Sequence, residues 1–226
     1  MIRLPHLEAG VAYRGRSLFL PRSVVSPNVL EGLLTFGSDP EGQRRALLRV
    51  HKHHCQVPLH TLTDTQLEEL QCRVVDLRPQ TFETIDLTPR PTFHLREDQR
   101  EAWDALRDVH SGVLNLACGK GKTVLAWNKA AHERIPTLIV SPQRAHLDNW
   151  LLELEAFFDY KGEVGWIQGK KFDWEAGVCL STVQTLAARA QEGRLPPEFY
   201  RRFGLVVYDE CHVMGAEFFS QASAVG

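Results

Sequence analysis

No apolar run in this 226-residue chain approaches the roughly 18 residues that a membrane-spanning helix needs. The first ten residues, MIRLPHLEAG, are broken by Arg3, Pro5 and Glu8, so they contain no signal-peptide core. Cysteine is sparse and odd in number. Cys55, Cys72, Cys118, Cys179 and Cys211 lie far apart and form no CxxC pair, which argues against a disulfide framework and for free thiols. These absences together predict a cytoplasmic protein. Neither charge dominates: 26 Lys and Arg stand against 28 Asp and Glu, a net charge of −2. A domain that grips nucleic acid through an all-over basic coat is therefore excluded, although a local basic face is not. Internal repeats and low-complexity tracts are also missing. What is present is an ordinary globular composition, 43% hydrophobic and 24% charged, at a length that suits one substantial domain plus a small one.

The chain changes character near Thr88-Pro89-Arg90-Pro91, where two prolines in four residues forbid a continuing helix. The expected division is therefore 1–90 as a small N-terminal accessory domain and 91–226 as the main domain. Upstream, the pattern predicts an extended stretch over Ser17–Leu20, a helix over Pro27–Leu34, a turn over Gly37–Gly42 and a helix over Thr63–Gln71. Thr63 would cap that second helix, with Gln66 three residues on. His51, His53, His54, Cys55 and His60 cluster in sequence but lack the paired spacing of a zinc site. Beside Arg44, Arg45, Arg49 and Lys52 they read as a basic, partly exposed segment; a solvated helix face and a duplex-contacting surface are both open readings of it.

Downstream, short apolar runs alternate with helical segments. Val113–Ala117, Thr137–Ser141, Val164–Ile167, Val178–Thr182 and Leu205–Tyr208 are predicted strands. A helix over Lys122–His132 follows the first. Leu147, Trp150, Leu151, Leu154 and Phe158 make one buried stripe on a helix after the second. This alternation predicts a parallel sheet with helices on both faces, and such sheets bind ligands beyond the carboxyl ends of their strands.

Two motifs stand at such ends. Cys118-Gly119-Lys120-Gly121-Lys122-Thr123 lies between the first run and its helix. Glycines let consecutive N–H groups close around phosphate oxygens, and the helix adds its positive end. Lys122 would reach the terminal phosphates and Thr123 would offer its hydroxyl to Mg²⁺. The full phosphate-loop pattern wants Gly at position 116, where Leu116 stands, so a glycine turn with surface lysines remains an alternative at this point. The second motif is Tyr208-Asp209-Glu210-Cys211-His212. A strand ending in two acids would let Asp209 hold Mg²⁺ and Glu210 orient or deprotonate an attacking water. Helix-capping acids are the plainer reading of that pair alone.

In combination, Leu95 to Ser220 resembles the first motor domain of superfamily-two helicases, the DEAD/DEAH-box-like group. It is most like the branch that holds repair translocases and phage helicases. That branch tolerates a non-glycine at the first loop position. The resemblance implies a RecA-like P-loop α/β domain, a parallel sheet sandwiched by helices, after a small mixed α/β N-terminal domain. It implies ATP and Mg²⁺ as cofactors, with Arg96, Gln99 and residues 118–123 at the nucleotide and Gln99 reading the adenine edge. Lys122, Asp209 and Glu210 would be catalytic; Thr123 and Asp209 would serve the metal. Cys118 and Cys211 would contribute no side-chain chemistry. Three strand-end loops, SPQR with Pro142 and Arg144, QGKK with Gly169, and STVQT with Thr182 and Gln184, would contact nucleic acid, single-stranded or duplex DNA above all. His212 would couple that face to the nucleotide.

The resemblance also implies a second motor domain that supplies arginine fingers to the transferring phosphoryl group. The expectation is that this chain is truncated before it, incomplete at its C-terminus, and nearly inactive as an ATP hydrolase alone. An ATP-dependent DNA helicase or translocase is the leading reading. A nucleotide-dependent nucleic-acid- or protein-binding module without motor activity is the second. A P-loop kinase of a small metabolite is weaker, since it needs neither DECH nor the SPQR and STVQT loops.

Overall fold

The computed structural model describes residues 10–15, 17–38, 44–46, 48–58, 62–77, 81–117 and 119–210. Cys118, Cys211, His212, His60 and most of the expected turn at 37–42 lie outside the described residues, and the side chains of Arg44, Arg45 and Arg49 are likewise not described. The chain divides into two compact units, Met1–Pro79 and Gln80–Gly226. The division falls ahead of the proline-marked position at 88–91, because residues 85–89 are committed to the second unit. Ile85 and Leu87 are buried in its core.

Unit 1 contains β1 (Val11–Arg14), β2 (Ser17–Pro21), α1 (Pro27–Leu34), β3 (Thr35–Ser38), β4 (Arg44–Ala46), β5 (Arg49–Val50), β6 (His54–Pro58), α2 (Asp64–Glu69) and β7 (Arg73–Asp76). Five strands form one sheet in the order β5-β6-β2-β1-β7, antiparallel except for the β1–β7 pair. Leu18, Leu20, Leu30, Val57 and Leu67 close its core. Local chemistry sets α2. The Thr63 hydroxyl accepts from Gln66 N–H at 3.2 Å and Gln66 Oε1 accepts from Thr63 N–H at 2.8 Å, a capping box that satisfies two end donors at once. At the β5–β6 turn the His51 and His54 rings stack at 4.4 Å, and Arg22 donates to the His51 and Lys52 carbonyls. Burial, and then the neighbouring His51 and His53, hold the His54 imidazole below its ordinary pKa.

Unit 2 contains β8 (Leu87–Pro89), α3 (Glu97–Leu106), α4 (Lys122–Glu133), β9 (Thr137–Ser141), α5 (Arg144–Phe157), β10 (Phe158–Tyr160), β11 (Val164–Gln168), β12 (Lys171–Phe172), β13 (Val178–Thr182), α6 (Val183–Gln191), α7 (Phe199–Arg202) and β14 (Leu205–Tyr208). Its main sheet runs β12-β11-β13-β9-β14, with β11, β13, β9 and β14 parallel. Strand alternation divides the side chains between two layers. Ile139, Val178 and Leu180 pack with Trp127 of α4 and with Leu147, Trp150 and Leu154 of α5. Leu138, Val140, Ile167 and Cys179 pack with Val183 and Leu186 of α6 and Phe199 of α7. Both faces of the sheet are thus covered, as the run-and-helix alternation predicts.

One predicted strand does not form. Val113–Ala117 has no strand pairing, and Val113 is 82% exposed. A strand is defined by its ladder, and among the described residues β14, at that side of the sheet, pairs only with β9. Apolar composition alone does not create that partner. Phe158, placed by periodicity on the helical stripe, instead opens β10 and remains buried, since the stripe's direction carries it into the same core.

Candidate nucleotide and strand-contacting site

The loop before α4 turns on two left-handed glycines, Gly119 at φ +74° and Gly121 at φ +79°. No side chain occupies that region cheaply, which is why this hairpin of backbone needs glycine. Gly121 is the residue that caps α4, so the helix starts directly from the loop. Lys122, half-buried in the first turn, donates from Nζ to the Leu116 carbonyl at 2.9 Å. Its ammonium therefore folds back across the loop that precedes it.

A second strap ties the loop to the start of α3. Gln99 is only 3% exposed. Its Oε1 accepts from Arg96 N–H at 3.0 Å and its Nε2 donates to the Lys120 carbonyl at 3.2 Å. Arg96 donates from Nη2 to the Gly119 carbonyl at 3.4 Å, and Lys120 Nζ reaches Asp98 Oδ2 at 2.9 Å. Arg96 Nε lies 3.2 Å from the other oxygen of Asp98. The hydrogen bonds from Lys120 first, and from Arg96 second, hold the Asp98 carboxyl below its usual pKa.

The parallel strands bring the remaining predicted residues to one edge. Ser141 at the end of β9 is in register with Thr182 at the end of β13, and Ile167 of β11 with Ser181. Pro142 follows β9 directly, and Arg144 opens α5 on the surface. Arg144 lies over the Trp166 ring with its guanidinium carbon 3.6 Å from the centroid, bonds to Gln168 and pairs with Asp148. Gly169 makes the turn between β11 and β12 at φ +57°, and its carbonyl accepts from Arg189 at 2.8 Å. Thr182 caps α6 by accepting from Thr185 N–H at 3.4 Å, and Gln184 projects from the first turn of α6, exposed.

Asp209 stands at the same edge, just past β14, where its N–H donates to the Val140 carbonyl at 2.8 Å. Glu210 follows in the left-handed region at φ +50°, a conformation that an ordinary L-residue adopts at some cost and that tends to mark functional turns. Asp209 Oδ2 accepts from the Trp150 indole N–H at 2.9 Å and from the Ser141 hydroxyl at 3.5 Å. Ser141 Oγ in turn lies 3.3 Å from His146 Nδ1. Glu153, one turn beyond Trp150, has its carboxyl pKa raised by burial and then by the Asp209 charge.

The Trp150–Asp209 contact links the two motifs. Trp127 of α4 donates its indole N–H to the Trp150 carbonyl at 3.0 Å, and the two rings meet edge to face at 5.4 Å. Thr123 sits four residues before Trp127, on the same face of α4. The helix that leaves the glycine loop therefore carries Thr123 on the face that also bears Trp127. Trp150, Ser141 and Asp98 were not among the sequence-predicted site residues. Trp150 carried an apolar-stripe signal and a place in the helix behind the SPQR loop, and no spacing rule connects it to an acid 59 residues away.

Residues 92–225 match the family profile of the type III restriction enzyme, res subunit. The DNA 3'-5' helicase XPB of Mycobacterium tuberculosis is 32% identical over 130 residues, which is 56% of this chain and 24% of that protein. "Probable helicase D10" of Escherichia phage T5 is 27% identical over 157 residues, covering 69% of this chain and 32% of that protein. The chain thus spans about a quarter to a third of these curated relatives. The crystal structure of the UvsW helicase from bacteriophage T4 aligns at a TM-score of 0.59 and 17% identity, over 88% of this chain and 80% of that one, a likeness of fold. The family profile covers more than half of the sequence and takes in the loop at 119–123, the three strand-end loops and Asp209. On these grounds the chain belongs to the type III restriction enzyme res-subunit family and contains the first motor domain of a superfamily-two helicase.

Proposed function

We propose that unit 2 binds ATP with Mg²⁺ at the 118–123 loop and a nucleic-acid strand across the carboxyl edge of its sheet, and that it serves as the ATP-driven half of a DNA helicase or translocase. The observation that carries this is the line from α4 through Trp127 and Trp150 to Asp209, which supports Thr123 and Asp209 acting on one cation. The donor set fits magnesium: a hydroxyl and a carboxylate are hard oxygen ligands, and Mg²⁺ takes the rest of its shell from phosphates and water. Among the described residues no three His, Cys, Asp or Glu side chains gather into a closed cage, and such an ion needs none. The cation would neutralise charge developing on the transferring phosphoryl group.

In this reading Lys122 exchanges the Leu116 carbonyl for the terminal phosphates, and the backbone around Gly119, Lys120 and Gly121 wraps them; Cys118 belongs to the same loop. Glu210 orients or deprotonates the attacking water. Gln99, with one N–H committed to Lys120, offers its second N–H and remaining lone pairs toward the adenine beside Arg96. Pro142, Arg144, Gly169, Thr182 and Gln184 contact the strand through phosphate and sugar, which tracks nucleic acid without reading sequence. His212 would couple the two sites. DNA is the favoured strand, and a second motor domain is the favoured partner; without its arginines this chain would turn over ATP very slowly.

The test is equilibrium binding of a fluorescent ATP analogue, together with steady-state ATPase activity with and without single-stranded DNA. Nucleotide binding that Lys122→Ala abolishes supports the reading. Binding that ignores Lys122→Ala defeats it.

A further inference from the structure

We infer that Trp150 is a positioning residue for the nucleotide site, an indole N–H that fixes which oxygen of Asp209 is presented to the metal. The inference rests on the magnesium reading of Asp209 and adds to it a residue outside both sequence motifs.

A carboxylate at a strand end rotates about its last torsion, and its two oxygens are chemically equal until the surroundings distinguish them. Here they are distinguished. Both donors that reach the Asp209 side chain among the described residues, Trp150 Nε1 at 2.9 Å and Ser141 Oγ at 3.5 Å, end on Oδ2. Oδ1 is then the oxygen turned to a cation. Trp150 is well suited to hold that geometry. It is 3% exposed, so its N–H has no solvent to fall back on, and loss of the acceptor would strand a buried donor. The ring cannot drift, because Trp127 packs edge-on against it and donates to its backbone carbonyl. Since Trp127 lies on the helix that begins at Lys122, the orientation of Asp209 is referenced to the phosphate loop itself. Partners that orient a ligating carboxylate commonly contribute 10- to 100-fold to metal affinity.

The experiment compares the full chain with Trp150→Phe, Ser141→Ala and Asp209→Asn. Trp150→Phe keeps an aromatic ring against Trp127 and deletes the N–H. The readout is fluorescent-ATP affinity as a function of Mg²⁺, separated from its affinity in EDTA. Trp150→Phe is expected to leave the EDTA affinity within about twofold and to raise the Mg²⁺ concentration for half-maximal effect by about tenfold. Ser141→Ala should move it in the same direction by less. With Trp150 itself intact, ¹H–¹⁵N spectra should show its indole resonance shifting in Asp209→Asn and, in the wild-type chain, on adding Mg²⁺ with nucleotide, which needs no Trp150 variant to fold. Wild-type Mg²⁺ dependence in Trp150→Phe, or an indole resonance indifferent to Asp209→Asn, overturns the positioning role while the nucleotide site stands. If Asp209→Asn itself leaves the Mg²⁺ dependence intact, the reading of Asp209 as the metal's carboxylate falls, and this inference with it.

Discussion

The side-chain amide of Gln99 occupies the space that a β-carbon on Gly121 would enter. Gly119, two residues earlier and in the same left-handed region, has nothing among the described residues within 4 Å of that position. The two glycines of the loop are therefore required for different reasons. An alanine at Gly119 meets only the left-handed backbone penalty, about 1–2 kcal/mol. Alanine at Gly121 meets that penalty and also displaces Gln99 from Lys120 and Arg96, at about a further 1 kcal/mol for the buried amide bonds. Thermal melts should place Gly121→Ala below Gly119→Ala by roughly 2–4 °C, with the larger loss of nucleotide affinity in the same variant.

The strap across the loop should be sensitive to acid. Hydrogen bonds from Lys120 and Arg96 lower the Asp98 pKa, so folding favours its charged form. That contribution is present above the ordinary carboxylate value of 3.8 and fades as pH falls through the lower folded value. Asp98→Asn should accordingly melt a little below wild type at pH 7, and the gap should narrow as the pH is taken below 3.8. High salt should shrink the neutral-pH gap as well, because the pair is exposed. A gap that widened in acid would contradict the assignment.

Cys55, Cys72 and Cys179 are buried free thiols. Burial pushes the Cys179 pKa up to about 12. At pH 8 its thiolate is then on the order of one part in ten thousand, and the other two thiols are raised in the same direction for the same reason. Peptide mapping after iodoacetamide treatment should find all three unmodified in the native protein and modified after denaturation. Rapid native labelling of Cys179 would mean that the packing between β13 and α6 opens readily.

Arg144 is poised differently from the buried residues. Its guanidinium is exposed, stacked on Trp166 and tethered to Asp148 and Gln168, so a phosphate can take one of its donors without uncovering the core. Arg144→Ala should weaken single-strand binding across all sequences and reduce the slope of log affinity against log salt by about 0.7. Fluorescence anisotropy at several ionic strengths would measure both. An effect confined to certain base sequences would exclude a backbone contact.

What the sequence disclosed divides by range. Thr63 and Gln66, three residues apart, make a capping box that needs no other part of the chain, and it forms as read. The ends of β9, β13 and β14 were legible because apolar runs in an alternating α/β pattern force their polar successors to one edge. Val113–Ala117 misled because four apolar residues in five state a preference, whereas a strand also needs a ladder partner. The Trp150–Asp209 bond was out of reach of any local rule, since it joins a residue read as core to one read as chemistry. Gln99 lay between these cases. Its helix position was readable, but its burial beneath Lys120 depends on a loop 21 residues later.

The Trp127–Trp150 pair has an optical consequence. Two indoles 5.4 Å apart and inclined at 70° have coupled electronic transitions, so their absorption and circular dichroism are properties of the pair. Because one ring rides on the helix that follows the Gly119–Gly121 loop and the other is bonded to Asp209, a small rearrangement at either place changes the coupling. The molecule therefore carries its own label-free gauge of events at that acid, readable in the near-ultraviolet without attaching a dye.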